Sequence, residues 1–324
     1  MKHYFHIKYP QYYLVVFATI ALAAHAQTTS DIRPGLSLVP SYPADGVFRT
    51  DVQDQYVFLK AHGEYVVSYS SSLDPASRPG PNGRIEFPIT FPSQVLPAID
   101  VRVEAFSGGE YLYSYNIANR SGAKAALASI LIRTRSIEAV EGLSSPTNPL
   151  GWTLARLRNP EDHLGPAWNA ASPLQPGGAA VQFSFRSTAK PGIAEVAFRG
   201  SPATSAAIAR LPESVKAQIL KLERGFLGSV RLITVGPTYP PGINPFAVAV
   251  DLVGQMEMFP SDRKNTAYVT QLRSQLKQYM ESVASAVQLL EDNKLKPDLR
   301  ISARPVSYED GILQKVLAGT LEVK

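Results

Sequence analysis

The sequence of 324 residues contains no cysteine. It can therefore form no disulfide bond that would constrain the unfolded chain, and it carries no cysteine for a lipid anchor. The fold must be stabilised by burial of side chains alone. A chain of this length can bury enough surface for that, and its length favours two domains over one.

A hydrophobic run long enough to span a bilayer, about 20 residues, is also missing. A shorter apolar run, 14–24, follows Lys2 and Lys8 and leads to the small-x-small sequence Ala24-His25-Ala26. This pattern predicts a signal peptide over residues 1–26. We therefore expect an exported protein, periplasmic or extracellular, that begins near Gln27 and does not insert into a membrane once the signal is removed.

A strong excess of charge of one sign is absent as well. The chain has 32 Lys and Arg residues against 27 Asp and Glu residues, and loss of Lys2 and Lys8 with the signal leaves 30 against 27. A net charge of about +3 without clustering is not the basic surface that nucleic-acid binding requires. We predict no nucleic-acid partner.

Motifs of the common hydrolases are missing too. Three of the five histidines lie in the predicted signal peptide, so that only His62 and His163 remain. Neither an HExxH zinc motif nor a GxSxG nucleophile elbow occurs, and the turn at 108–110 lacks the features of a phosphate-binding loop. The sequence therefore predicts no cofactor, no metal and no assignable catalytic residue, and it favours a non-enzymatic role.

The surroundings of His163 leave one alternative open. Glu161 and Asp162 precede this histidine, and acidic neighbours raise the pKa of an imidazole and can orient it. The three residues are a candidate ligand-binding group, and a hydrolase that uses His163 is the least favoured alternative. A calcium loop would normally show alternating oxygen ligands, which this segment lacks.

From residue 47 to 202 the apolar residues alternate with polar ones, which indicates β-strands. Pro88 cannot donate a hydrogen bond to a neighbouring strand, so its strand is predicted to lie at a sheet edge or to contain a bulge. Because turns rather than helices separate the strands, we expect an antiparallel, immunoglobulin-like β-sandwich. Residues 27–46, rich in proline, form a predicted leader arm. The clearest strand segments are 64–70, 84–91, 98–106, 111–119, 126–134, 180–187 and 193–200.

After residue 202 the apolar spacing becomes helical. Pro212 and Asn244 mark two helix starts, and Ser307 with Asp310 forms a predicted capping box. The longest predicted helix covers about 262–292, with an apolar stripe on one side. We predict a small helical domain over 203–324, and therefore a multi-domain α+β protein.

The aromatic residues allow two interpretations. Tyr111, Tyr113 and Tyr115 share one face of a predicted strand, which is either the inward face of the sandwich or an exposed platform for a sugar. Trp152 and Trp168 follow loops rich in glycine and proline. They are expected to lie between the sheets, as tryptophan commonly does in sandwiches, or else to stack on a glycan from those loops.

The segments YLYSYNIANRSG (111–122), PGGAAVQFSFRS (176–187) and KPGIAEVAFRG (190–200), with the two tryptophans between them, resemble a β-sandwich module of uncharacterised exported bacterial proteins. The resemblance implies an immunoglobulin-like sandwich followed by a helical C-terminal region, and it transfers no functional residues. We therefore predict an exported interaction module whose partner is an unknown protein or polysaccharide. The alternative is a glycan-binding protein that uses Trp152 and Trp168.

Overall fold

The computed structural model describes most of the chain from residue 47 to residue 321. The predicted signal peptide (1–26) and leader arm (27–46) lie outside the described residues. The described ranges are 47–49, 56–60, 64–74, 77–80, 82–134, 143–159, 163–201, 208–224, 228–257, 259, 262–285 and 297–321.

Within these ranges the chain forms antiparallel sheets and four α-helices. The strands are β1 (Val47–Arg49), β2 (Tyr56–Lys60), β3 (Glu64–Ser70), β4 (Arg84–Ile89), β5 (Pro97–Ala105), β6 (Tyr111–Asn119), β7 (Leu127–Arg133), β8 (Ser144–Thr147), β9 (Trp152–Asn159), β10 (His163–Leu174), β11 (Val181–Ser187), β12 (Lys190–Gly200) and β13 (Val230–Tyr239). The helices are α1 (Glu213–Arg224), α2 (Pro245–Glu257), α3 (Ala267–Ser285) and α4 (Tyr308–Thr320).

Two of the sheets form a β-sandwich. One sheet has the strand order β13-β12-β7-β10-β9, and the other has the order β5-β6-β11-β8. Their inward side chains share one core, in which the ring of Phe185 from β11 lies 6.0 Å from the ring of Trp168 in the opposite sheet. The antiparallel sandwich predicted from the alternating pattern is therefore present.

The tyrosine strand β6 faces this core. Tyr113 and Tyr115 are fully buried, and their hydroxyls donate to the carbonyls of Ala189 and Val235 at 2.8 Å and 2.9 Å. Because burial destabilises the phenolate, it raises the pKa of both tyrosines well above the ordinary value. Tyr111 is half-buried and donates to the carbonyl of Gly319. The inward interpretation is confirmed, and the sugar platform is wrong.

Strands β1 to β4 form a separate antiparallel sheet in sequential order. The segments predicted at 64–70 and 84–91 form strands β3 and β4, but among the described residues they pair within the N-terminal sheet and not with strands of the sandwich. Pro88 lies in β4, the last strand in this order, which confirms the predicted edge position. The range 47–202, predicted as one sandwich domain, thus contains a separate N-terminal sheet in addition to strands of the two sandwich sheets.

Helix α1 covers one face of this N-terminal sheet. Tyr65, Tyr69 and Phe91 pack with Val215 and Ile219 of the helix in a second, smaller core. In the sequence, α1 lies between β12 and β13, which are paired with each other in the sandwich. The chain therefore leaves the sandwich after β12, completes the N-terminal unit and returns as β13.

The C-terminal region is not a purely helical unit. Strand β13 belongs to the five-stranded sheet, and α2, α3 and α4 contribute side chains to the core of the sandwich. Helix α4 packs against β12, β13 and β5, and thus lies across both sheets at one side of the sandwich. The boundary predicted at residue 202 therefore falls inside one packed structure. The apolar stripes of these helices are buried against strands as well as against one another.

The predicted helix ends are close to those observed. Pro245 begins α2, and the side chain of Asn244 accepts a hydrogen bond from the backbone of Phe246 at 2.8 Å. The capping box of Ser307 and Asp310 is present at the start of α4. The long helix predicted over 262–292 begins later, at Ala267, and is described to Ser285.

Candidate functional site

The two tryptophans predicted as ligand-binding residues lie in the core. Trp168 has no exposed surface and Trp152 is 7% exposed. Both rings contact Phe183, with centroid distances of 5.2 Å and 5.1 Å. A buried ring offers no face to a sugar, so the assignment of Trp152 and Trp168 as stacking residues is corrected to a structural role.

Trp168 also stabilises the loop that precedes Trp152. Its indole nitrogen donates to the side-chain oxygen of Asn148 at 2.8 Å, and the backbone of Ala171 donates to the carbonyl of Gly151 at 2.7 Å. Gly151 has a φ of 78°, a conformation that favours glycine. The loop exposes Leu150 completely. A single leucine defines no binding surface, however.

The acidic group around His163 falls at the edge of a described range. His163 is the first residue of β10, and its backbone pairs with Asn159 of β9. Glu161 and Asp162 lie outside the described residues. The role of His163, Glu161 and Asp162 stays a prediction.

The described part of the chain offers no cluster of three or more histidine, aspartate or glutamate side chains that could hold a metal ion.

Among the helices that the structure describes, none combines the length and the apolar character needed to cross a membrane.

A polar groove follows helix α3. It consists of two adjoining depressions of about 660 Å³ and about 450 Å³. The larger depression is lined by Asn265, Ala267, Thr270, Gln271, Ser274, Gln275 and Gln278. The smaller is lined by Gln275, Gln278, Tyr279, Ser282 and residues 297–300.

The sequence of α3 explains why this face is polar. Tyr268, Leu272 and Leu276 recur at helical spacing and are buried in the core. Residues on the opposite side, among them Thr270 and Ser274, are consequently exposed. The larger depression is lined by amides, hydroxyls and one methyl group. It contains no charged side chain.

The second wall of the smaller depression is formed by residues 297–300, which begin an extended segment, 297–306, here called the strap. Its residues are buried and exposed in alternation, as in an extended chain. Leu299 is buried, and Ile301 and Ala303 pack against the core of the sandwich. Asp298 and Arg300 point outward and form an ion pair at 3.0 Å. These two charges compensate each other, so the smaller depression carries no net charge from them.

Two glutamines of α3 bind the backbone of the strap. Gln275 accepts from the amide of Arg300 at 2.7 Å and donates to the carbonyl of the same residue at 2.6 Å. Gln271 accepts from the amide of Ala303 at 3.0 Å and donates to Ser302 Oγ and to the Arg300 carbonyl, each at 3.2 Å. The strap thus runs antiparallel to α3 and is recognised through its peptide groups.

Asp310 fixes the end of the strap. Its carboxylate accepts from the amides of Val306 and Ser307 at 3.0 Å and 3.1 Å, and from the hydroxyl of Thr266 at 2.7 Å. Thr266 in turn accepts from the amide of Val269 in the first turn of α3. Burial, and secondly the charge of Asp310, raise the pKa of Tyr268 to about 12. The N-termini of α3 and α4 are therefore joined where the strap ends.

A buried acid lies beside this junction. The side chain of Glu309 is 1% exposed, and within the described residues neither of its carboxylate oxygens has a hydrogen-bond partner. Its Oε2 lies 4.0 Å from Nε of Arg263, which also contacts Asp262 at 3.2 Å. Burial raises the pKa of Glu309, and the nearby Arg263 guanidinium offsets this only in part.

The groove was not recognised from the sequence. In the sequence, a pair of glutamines one helical turn apart indicates a solvated helix face. The strap that they bind is about 25 positions further along the chain. Only the alternation of apolar and polar residues in ISARPV (301–306), an odd pattern between two helices, could have indicated an extended segment there.

Comparison with known proteins gives little beyond this geometry. No family model and no curated protein matches the chain. Among solved structures, a similar one is an uncharacterised protein from Nocardia farcinica with an immunoglobulin-like fold. It is 16% identical, with a TM-score of 0.23, and the match covers 31% of this chain and 75% of that one. At such a TM-score the likeness carries no argument, so the sandwich rests on its own strand pairing.

Proposed function

We propose that the protein is an exported, non-enzymatic interaction module that binds an uncharged, hydrogen-bonding polymer in the groove between α3 and the strap. Export is inferred from the signal-peptide pattern of residues 1–26. The proposal includes the finer description drawn from the sequence, an immunoglobulin-like module of exported bacterial proteins with a helical C-terminal region. Turn residues and strand spacing over 100–200 support that description.

The observation that carries the binding proposal is the pair of hydrogen bonds between Gln275 and Arg300. One amide side chain binds both the backbone N–H and the backbone C=O of the same residue, Arg300, at 2.6–2.7 Å. The same wall of α3 therefore already recognises a neutral chain of alternating donors and acceptors. The remaining lining has the same chemistry, since Thr270, Ser274 and Gln278 each offer a donor and an acceptor.

The lining also fits binding better than turnover. A serine or threonine becomes a nucleophile only beside a proton acceptor of suitable pKa. Among the described residues that line the groove there is no histidine and no lysine, and the carboxylate of Asp298 is paired with Arg300. Its hydroxyls are therefore suited to donating and accepting hydrogen bonds.

Amide chemical shifts of the full chain would test the groove. We would titrate it with two neutral probes, a blocked valine–serine peptide and cellohexaose, and with polylysine and polyglutamate as charged controls. At least one neutral probe should shift the amides of residues 265–278 and 297–303. Shifts confined to other surfaces, or stronger binding of the charged polymers, would contradict the proposed function.

Export is tested separately by expressing the full chain in a Gram-negative host and sequencing the N-terminus of the periplasmic or secreted product. Cleavage after Ala26 should leave Gln27 as the first residue. Retention of residues 1–26 on a cytosolic product would remove the basis for export and would leave the groove unaffected.

A further inference from the structure

We infer that the junction between the end of the strap and the N-termini of α3 and α4 is a pH-sensitive latch, closed while Glu309 is protonated and opened locally when Glu309 ionises. The inference goes beyond the proposed function, because it does not depend on what the groove binds. It rests on the position of one carboxyl group, on the charges beside it and on the contacts that hold the end of the strap.

The carboxyl group of Glu309 lies where a charge is costly. Its side chain is 1% exposed, and within the described residues neither of its oxygens accepts a hydrogen bond. An ionised carboxylate in such a place loses its hydration without replacement, whereas the neutral acid loses much less. The buried position therefore favours the protonated form, in agreement with the raised pKa of this group.

The charged groups beside Glu309 do not reverse this preference. Its Oε2 lies 4.0 Å from Nε of Arg263, and the same nitrogen contacts Asp262 more closely, at 3.2 Å. Asp310, the next residue of α4, is fully buried as well. Tyr308 stays neutral, because burial raises its pKa. With Glu309 ionised, the junction contains three carboxylates and one guanidinium, and protonation of Glu309 removes one of the excess negative charges.

The end of the strap is held by polar contacts rather than by burial. Asp310 accepts hydrogen bonds from the amides of Val306 and Ser307, at 3.0 Å and 3.1 Å, and from the hydroxyl of Thr266. Val306 is 78% exposed and adds little apolar contact. Segments held in this way open locally while the rest of the fold stays closed. Opening should end before Ile312, which is buried in the core.

The direction of the pH effect follows from the two forms of the latch. In the open form Glu309 reaches solvent and has the ordinary pKa of a glutamate, so it loses its proton at a lower pH than in the closed form. The closed form is therefore most favoured at a pH below the ordinary value. Its population falls as pH rises towards the raised value and stays at the lower level above it.

Hydrogen exchange of single amides in the full chain tests the latch. The wild type is compared with E309Q, which keeps the size of the side chain and cannot ionise, from about pH 4 to about pH 8. Near neutral pH the amides of Val306 and Ser307 should exchange about threefold or more faster in the wild type, and at the acid end equally fast in both. E213Q, at an acid that is 88% exposed, is the matched control and should exchange as the wild type does.

Two further measurements show whether the opening is local and involves Glu309. The amides of Val306 and Ser307 should be less protected than that of Phe183, which is fully buried in the sandwich, and their exchange should depend little on low concentrations of urea. The side-chain carboxyl carbon of Glu309, followed by NMR, should titrate above the ordinary glutamate value.

Several results would overturn the latch. Equal exchange in the wild type and E309Q at every pH, or faster exchange in E309Q near neutral pH, would mean that ionisation of Glu309 does not open the junction. Protection equal to that of Phe183, with the same dependence on urea, would mean that the junction opens only with the whole fold. Titration of Glu309 at the ordinary value would also contradict the inference. None of these results bears on binding in the groove.

Discussion

At the scale of single residues, the tyrosines of β6 combine packing with hydrogen bonding. The ring of Tyr115 stacks on Phe185 of the adjacent strand β11, with centroids 5.9 Å apart. Its hydroxyl reaches the carbonyl of Val235 in the opposite sheet. One side chain thereby links the two layers of the sandwich and satisfies a polar group that would otherwise be buried without a partner.

Replacing Tyr115 with phenylalanine should test this link. Y115F keeps the ring but leaves the Val235 carbonyl without its donor, and we expect a loss of about 1–3 kcal/mol in the free energy of unfolding. Y111F serves as the control, because Tyr111 is only half-buried and water can replace its hydroxyl; its effect should be smaller. Urea unfolding of both variants measures the difference. An equal loss in the two would argue against the cross-sheet role.

A second residue-scale prediction concerns the buried acid Glu309. Its pKa is higher in the folded than in the unfolded chain, so the folded state binds the proton more tightly. Stability should therefore decrease as pH rises from the ordinary glutamate value towards the raised folded value, and the loss should persist above it. E309Q removes the charge and should be more stable than the wild type at neutral pH.

Thermal unfolding over a series of pH values measures this effect. The difference between E309Q and the wild type should vanish at a pH below the ordinary glutamate value. E213Q is the control, because the Glu213 side chain is 88% exposed, and it should follow the wild-type profile. If E309Q is less stable than the wild type at neutral pH, the contact with Arg263 outweighs the cost of burial.

At the scale of elements, the contact between α4 and the sandwich depends on one glycine. A Cβ atom at Gly319 would overlap Cγ of Pro191 in β12. Gly311 in the same helix has open space at the corresponding point. The two positions therefore form a matched pair within α4.

We expect opposite effects from alanine at these two positions. G319A should force α4 away from β12 and cost about 1–3 kcal/mol, as overpacking does. G311A should stabilise the protein by about 0.5–1 kcal/mol, because alanine favours a helix over glycine. Chemical unfolding of the two variants checks the signs. Stabilisation by G319A would contradict the close packing.

The strap is the other element whose position is open to a direct test. Q275A removes both hydrogen bonds that Gln275 makes to the backbone of Arg300. The backbone amide of Arg300 should then be exposed to solvent more often. The amide of Arg300 should exchange its hydrogen at least several-fold faster, since each lost bond contributes about 1 kcal/mol. Q278A, one turn along and not bonded to the strap, should leave this rate unchanged. Hydrogen exchange followed by NMR resolves the single amide.

At the scale of the whole molecule, the described residues form two cores that different probes can distinguish. Trp152 and Trp168 both lie in the core of the sandwich, and the chain has only these two tryptophans. The smaller core, under the N-terminal sheet, contains tyrosine and phenylalanine. Tryptophan fluorescence therefore reports on the sandwich, whereas far-UV circular dichroism reports on both units.

Because the two cores are separate, we predict that the N-terminal unit can unfold without the sandwich. I219A removes a fully buried side chain of α1 from the smaller core and should destabilise that unit by about 2–5 kcal/mol. The transition in circular dichroism should then begin at a lower urea concentration, with the fluorescence midpoint nearly unchanged. Equal shifts by both probes would mean that the units unfold together.

How much of this could be predicted depends on the range of the interactions. Alternation in β6 and β11 and the cap at Ser307 are local patterns, and they predicted strands, an inward tyrosine face and a helix start. The partner of β13 and the sheet covered by α1 depend on contacts between distant segments, which no local pattern encodes. The groove has the same character, because Gln275 is informative only once Arg300 lies beside it.

The route of the chain through the two units also affects how it folds after export. The apolar face of the N-terminal sheet is completed only by α1, more than a hundred positions downstream of Phe91. Contacts of such long range form slowly. Before they have formed, the apolar face of the sheet is exposed and can associate with other chains. A chain cut short before residue 213 would lack its cover and should aggregate, even though every strand of that sheet had already been made.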